Sequence, residues 1–160
     1  MNIKVVFVAE NDPDFVSQKI MDKDNTNYSH VLIEYTEPGD NEYKTDTTKI
    51  FHAVGEGVCI VEGHERINFW LNHIRAHEFE VDLKCHYEYF LGYVRGSLGK
   101  QYALSQIAGI AVGIEADNDD AKMICSELVG IVITEMAGYE IPGDQDMWRP
   151  IHVYDALMDN

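Results

Sequence analysis

The chain has 160 residues, enough for one domain with a real core, and its 46% hydrophobic and 11% aromatic content fits a folded globular protein. A formal net charge of −16 sets its surface against nucleic-acid phosphates and anionic membranes. No apolar run approaches the roughly 20 residues of a membrane span, and no basic-then-apolar opening marks a secretory signal.

Residues 1–9 read as a buried strand, with Val5, Val6, Phe7 and Val8 in succession. Asn11-Asp12-Pro13 turns out of it into a short helix over 14–21, with Pro13 tolerated in the first turn. A polar loop, 22–27, leads to 29–36, whose β-branched and aromatic residues predict a strand. Pro38-Gly39-Asp40-Asn41 is a turn signal. Two further strands follow, 49–54 and 57–61, parted at Gly55-Glu56-Gly57. Ile67, Trp70, Leu71 and Ile74 have helical spacing and predict a helix over 65–74. Phe79, Val81 and Leu83 alternate with charged residues, as in a strand.

Residues 87–98 read as a helix carrying Phe90, Leu91 and Val94, closed at 99–102. Residues 103–113 are apolar and are predicted helical; 115–120 are acidic and irregular. The run 124–136 is predicted to be a strongly apolar central helix ended by Ala137-Gly138. The tail from 141 to 160 reads as irregular, with one last helical turn near 153–157. With no repeat and no linker, the expectation is one α+β domain spanning 1–160.

Three cysteines, Cys59, Cys85 and Cys125, are an odd number without even spacing, which argues against a disulfide framework and for a reducing compartment. No CxxC, HExxH or paired His/Cys spacing predicts a zinc site. Cys59, within an apolar strand, and Cys85, at a strand end, read as small hydrophobes. Cys125 differs: in Met123-Ile124-Cys125-Ser126-Glu127-Leu128-Val129-Gly130 it stands at a helix start. The positive end of the macrodipole and unpaired N–H groups there favour thiolate, the nucleophilic form.

His30 heads the strand that follows the polar loop and shares a face with Leu32 and Glu34. Taken alone, it reads first as a satisfied polar core residue. If 29–36 pairs antiparallel with 49–54, His52 becomes its neighbour on that face. A relay then follows, with the Cys125 thiol as nucleophile, His30 as base and His52 orienting the imidazole. Glu34 and Glu56 are rival third members. Glu34 lies roughly 13 Å along the strand from His30, too far to serve; Glu56 follows a glycine and could swing in. His64, His73, His77, His86 and His152 read as surface or capping residues.

These segments together resemble the circularly permuted NlpC-type cysteine hydrolases, the YiiX-like branch of the papain-like fold. Tyr28-Ser29-His30-Val31 is similar to that family's Ser-His-Val strand, and 49–62 to its following hairpin. Leu98-Gly99-Lys100-Gln101-Tyr102 is similar to its Leu-Gly-Lys-Pro-Tyr segment. Cys125-Ser126-Glu127-Leu128-Val129 looks like its nucleophile helix, and 149–157 its terminal segment. Histidine before cysteine is the mark of the permutation. Two positions depart from the pattern: Gln101 stands where proline is usual, and His52 where this branch often has a carboxylate.

The resemblance implies an antiparallel sheet packed against a nucleophile-bearing helix. It implies that Cys125 attacks a carbonyl to form a thioester, that His30 activates the thiol and later protonates the leaving group, and that the Cys125 N–H helps hold the oxyanion. Tyr28 or Tyr102 would line the cleft. The implied substrates are amides of peptides, often cell-wall (peptidoglycan) peptides, with no metal or organic cofactor. A lipid acyl hydrolase or acyltransferase using the same dyad is an alternative, as is a non-enzymatic acidic protein that mimics DNA or inhibits a basic partner. The places of action left open are the cytoplasm, a larger assembly such as a virion, or release by cell lysis.

Overall fold

The computed structural model describes residues 1–39, 45–103 and 122–159. Alternating and continuous apolar runs form a five-stranded antiparallel sheet from β1 (Asn2–Glu10), β2 (His30–Glu37), β3 (Thr47–Val54), β4 (Gly57–Val61) and β5 (His73–Asp82), in the order β4-β3-β2-β1-β5. Helix α1 (Phe15–Asp24) joins β1 to β2, and α2 (Gly63–Asn72) joins β4 to β5. Beyond the sheet come α3 (Tyr87–Ser97), a two-residue parallel pair of β6 (Gln101–Tyr102) and β7 (Lys122–Met123), α4 (Cys125–Ile131) and α5 (Pro150–Met158). The molecule is thus α+β.

β1 is an interior strand, between β2 and β5, and is buried on both faces, which explains its unbroken apolar run. On one face Val5, Phe7, Val31, Ile33 and Phe51 pack with Phe90 and Val94 of α3, Leu128 of α4 and Val153 of α5. On the other, Val6, Val8, Leu32 and Ile50 meet Phe69 and Trp70 of α2. Strand alternation therefore assigns each residue of β2 to one of two environments. Val31, Ile33 and Tyr35 face the α4 side; His30, Leu32 and Glu34 face α2.

Glu34 is a buried carboxylate on that second face. Arg66 donates to it from Nε at 2.9 Å and from Nη2 at 2.7 Å, Arg75 Nη2 lies at 2.9 Å, and Trp70 Nε1–H donates at 3.1 Å. A buried charge is tolerated only with such partners. Arg75 also lies 3.8 Å over the Trp70 ring.

Several sequence expectations are corrected. The helix predicted over 65–74 ends at Asn72, and Ile74 belongs to β5. Its apolar spacing does not mark the docked face: Ile67 and Leu71 are 55% and 71% exposed, while Phe69, Trp70 and Arg66 turn inward. The tail is less irregular than expected, since α5 begins at Pro150, whose fixed φ and missing N–H suit the first helical turn. Pro13 lies before the N-cap of α1; Asp14 is the cap, its carboxylate accepting from Ser17 N–H at 2.7 Å.

The apolar helix predicted over 124–136 is α-helical to Ile131, then π-helical over Val132–Ala137. Thr134 Oγ1 donates back to the carbonyls of Gly130 and Ile131 at that change of winding. Gly138, at φ 81°, terminates it. Asp40 and Asn41 of the turn signal, all but Ala103 of the apolar run 103–113, and the acidic run 115–120 lie outside the described residues. No helix among the described residues is long and apolar enough to cross a membrane.

Candidate active site

The ladder between β2 and β3 runs from Glu37–Thr47 to Ile33–Phe51 and stops there. Toward the start of β2 the Val31 N–H is thereby released from cross-strand pairing with β3. The thiol of Cys125, first residue of α4, interacts with this N–H. The nucleophile candidate is thus anchored one residue beyond His30.

Tyr102 reaches the thiol through two local devices. Val58 N–H donates to Lys100 O at 2.9 Å and Gly99 N–H to Val58 O at 3.0 Å, which ties 99–100 to β4. Gly57 makes this approach possible: with φ 115°, a Cβ there would stand 2.6 Å from Lys100 O. The parallel pair then matches Tyr102 with Met123, two residues before Cys125. The Tyr102 hydroxyl hydrogen-bonds with the Cys125 sulfur.

The two histidines meet as strand alternation requires. His30 Nε2 lies 3.3 Å from His52 Nδ1, with ring centroids 5.4 Å apart and tilted by 68°. With Nε2 so engaged, Nδ1 of His30 is the free nitrogen, and it is the one nearer the backbone that leads to Val31. Either imidazole can donate across this contact; when His30 Nε2–H is the donor to His52 Nδ1, His30 Nδ1 is left as a lone-pair acceptor. His52 also packs edge-on against Phe69. Among the described residues the thiol makes no direct hydrogen bond to His30. His30 faces the α2 side of the sheet, whereas α4 packs on the other side.

Burial sets the resting charge states. It pushes the Cys125 thiol up; the N–H groups of Val31, Ser126 and Cys125 and the Tyr102 hydroxyl pull the other way and only reduce the rise. The helix start alone therefore does not yield a thiolate, contrary to the sequence expectation. Burial also drives His30 well below its ordinary value, helped by His52 and His73, and takes His52 down to about 4. At neutral pH the resting arrangement is a neutral thiol beside two neutral imidazoles.

Two cavities meet here. One, of about 210 Å³, is lined by His30, His73, Phe69, Val16 and Asp14 among others. The second is lined by Cys125, Ser126, Ile124, Trp148, Arg149 and Pro150 and offers only about 20 Å³. Ile20, Ser29 and Tyr102 belong to the walls of both. Arg149 is fixed by an ion pair with Asp24 of α1, so α1 is held over the thiol.

The remaining candidates are dispersed. Tyr28 packs among Phe7, His77 and Tyr154 and lines neither cavity. Glu56 is exposed in the β3–β4 turn, and Glu34 is held by Arg66 and Arg75. Cys59 pairs across β4 with His52, and Cys85 is partly buried before α3. His64 and His86 are exposed, and His152 bonds to Arg149 N–H at the start of α5, a capping role. His73 has the capping role the sequence suggests, as C-cap of α2 with its Nδ1 2.8 Å from Phe69 O; in addition it stacks on Phe69 at 4.1 Å, accounts for part of the His30 shift and lines the larger cavity. Ser29 enters the sequence reading only within the Ser-His-Val resemblance, and Trp148 carries no sequence signal. No family model and no curated protein sequence matches the chain.

Proposed function

We propose that the chain is a cysteine hydrolase of the permuted NlpC type, with a papain-like fold, that cleaves an amide bond through a thioester on Cys125. The observation that carries this reading is the His30–His52 contact at 3.3 Å, which leaves His30 Nδ1 free beside the residue whose N–H engages the Cys125 sulfur. In this reading His30 Nδ1 takes the thiol proton as sulfur attacks the carbonyl carbon. The C–N bond then breaks as His30 returns the proton to the leaving amine, and water repeats the sequence to release the acid. His52 holds the imidazole through Nε2 and steadies the charge that forms on it.

A neutral resting pair suits such a base, because the imidazole accepts the proton only as attack develops. Peptides of the cell-wall type are the first substrates to test. The expected result is turnover that Cys125→Ala and His30→Ala abolish while both variants keep a wild-type circular dichroism spectrum; turnover that survives Cys125→Ala refutes the reading.

One observation favours the lipid alternative. Val16, on the wall of the His30 cavity, is exposed, and Phe15 beside it is 76% exposed, which puts an apolar patch next to the acidic Glu10 and Asp14 of that wall. Release of fatty acid from a phospholipid, with no cleavage of peptide amides, would select that reading.

A further inference from the structure

The small cavity beside the thiol has an unbalanced lining. Ser126 Oγ donates to Trp148 O at 2.7 Å, the Tyr102 hydroxyl is engaged with the sulfur, and Arg149 is occupied by Asp24 and His152. Among the described residues, two buried polar atoms on its walls, Ser29 Oγ and Trp148 Nε1, have no hydrogen-bond partner. Ser29 is 4% exposed, and alternation from His30 turns its side chain to the α4 face, the thiol side. Burying a hydroxyl without a partner is unfavourable, and such groups are uncommon in native proteins.

What the cavity lacks is an acceptor. Its free volume of about 20 Å³ fits one oxygen-sized group. A cation is excluded by the indole N–H, which can only donate. Ser29 also borders the larger cavity that holds His30, so an acyl group reacting at Cys125 can lie with its carbonyl oxygen in the small cavity and its remainder in the large one.

We propose that Ser29 is a catalytic residue whose hydroxyl donates a hydrogen bond to the carbonyl oxygen of the group acylating Cys125, and to the oxyanion that this oxygen becomes. The inference rests on the cysteine-hydrolase reading. In the acylation step the Sγ–acyl bond forms, the electron pair of the C=O moves onto oxygen and is held by Ser29, and the thiol proton passes to His30. The pair then returns to re-form the carbonyl, and the leaving group departs.

The test compares two reagents on Cys125 of the intact chain, with the modified cysteine located by mass spectrometry. Acylation by p-nitrophenyl acetate passes through an oxyanion; thiolation by methyl methanethiosulfonate contains no carbonyl and does not. Ser29→Ala is expected to slow acylation on the order of 100-fold and to leave thiolation at the wild-type rate, while Ser29→Thr restores a good part of the acylation. Because Ser29→Ala removes an unpaired buried hydroxyl, its melting temperature is expected to equal or exceed wild type. Acylation of Ser29→Ala at the wild-type rate, or a fall in its melting temperature, overturns the role of Ser29 and leaves the hydrolase reading standing. Failure of the wild-type Cys125 to acylate at all overturns both.

Discussion

His30 Nε2 and His52 Nδ1 lie 3.3 Å apart on the α2 face of the sheet, brought there by the antiparallel register of β2 with β3. This contact engages Nε2 of His30 and therefore determines which ring nitrogen is left to meet a thiol. Removing the second ring should leave the first in place but free to rotate. His52→Ala is expected to lower the rate of Cys125 acylation on the order of 100-fold, the scale of a misplacement near 1 Å. His52→Asn, which can still accept from Nε2–H, is expected to recover part of it. Stopped-flow acylation rates for the three proteins decide.

The two imidazoles also predict how stability depends on pH. Their folded pKa values lie below the unfolded value of about 6.5, with His52 at about 4 and His30 also well down. The unfolded chain therefore binds protons that the folded chain refuses, and stability rises with pH across that window. The stabilisation is present above about pH 6.5 and is lost as the pH falls toward 4, at about 1.4 kcal/mol per pH unit for each imidazole. Asp24 and Glu127, raised by burial, act in the opposite sense at the acid end. Urea denaturation at a series of pH values is expected to show this slope, and His52→Gln to reduce it by about one proton.

Tyr102 acts on the sulfur from across the parallel pair. Its hydroxyl lowers the thiol pKa against the larger effect of burial. Tyr102→Phe is expected to raise the apparent pKa for Cys125 alkylation by about one unit or more, the worth of a hydrogen bond to a charged group. The readout is the pH dependence of iodoacetamide labelling resolved by site. An unchanged profile would remove Tyr102 from the site.

Gly130 lets Trp148 close against α4. A Cβ at that position would stand 2.4 Å from Trp148 Cε3 and 3.2 Å from Ile141 Cδ1. Alanine is the better helix former by about 1 kcal/mol. Even so, Gly130→Ala is expected to destabilise by about 1–3 kcal/mol, since Trp148 must leave its seat. The displaced indole borders the thiol cavity, so Cys125 thiolation should change with it. A denaturant midpoint and a labelling rate check both parts.

Much of the sheet is legible in the sequence because alternation is a local property. The period of two in 29–36 and 49–54, with a turn between, suffices to place His30 and His52 on one face, and the structure brings them together. Helical spacing says less. Ile67, Trp70, Leu71 and Ile74 share a period, but a period identifies a stripe and not the stripe that docks: of the four, Trp70 packs on the sheet and the other three are exposed.

The thiol shows the same limit for electrostatics. A helix start is visible in the sequence, whereas desolvation depends on Trp148, Ile20 and Tyr102 arriving from distant segments. The vacancy of Ser29 as a donor is equally a tertiary property. The Ser-His-Val segment marks where Ser29 stands in the chain but not that its hydroxyl is left without a partner.

The decisive measurement is acylation of the intact chain by p-nitrophenyl acetate, with the acetyl group located by mass spectrometry and His30→Ala run alongside. The proposed hydrolase predicts acetyl transfer to Cys125 ahead of Cys59 and Cys85, slowed by a factor on the order of 100 or more in His30→Ala, the scale of a lost general base. Equal labelling of the three cysteines, or a Cys125 rate that His30→Ala leaves unchanged, would contradict a nucleophile–base pair and turn attention to the acidic surface and its partners.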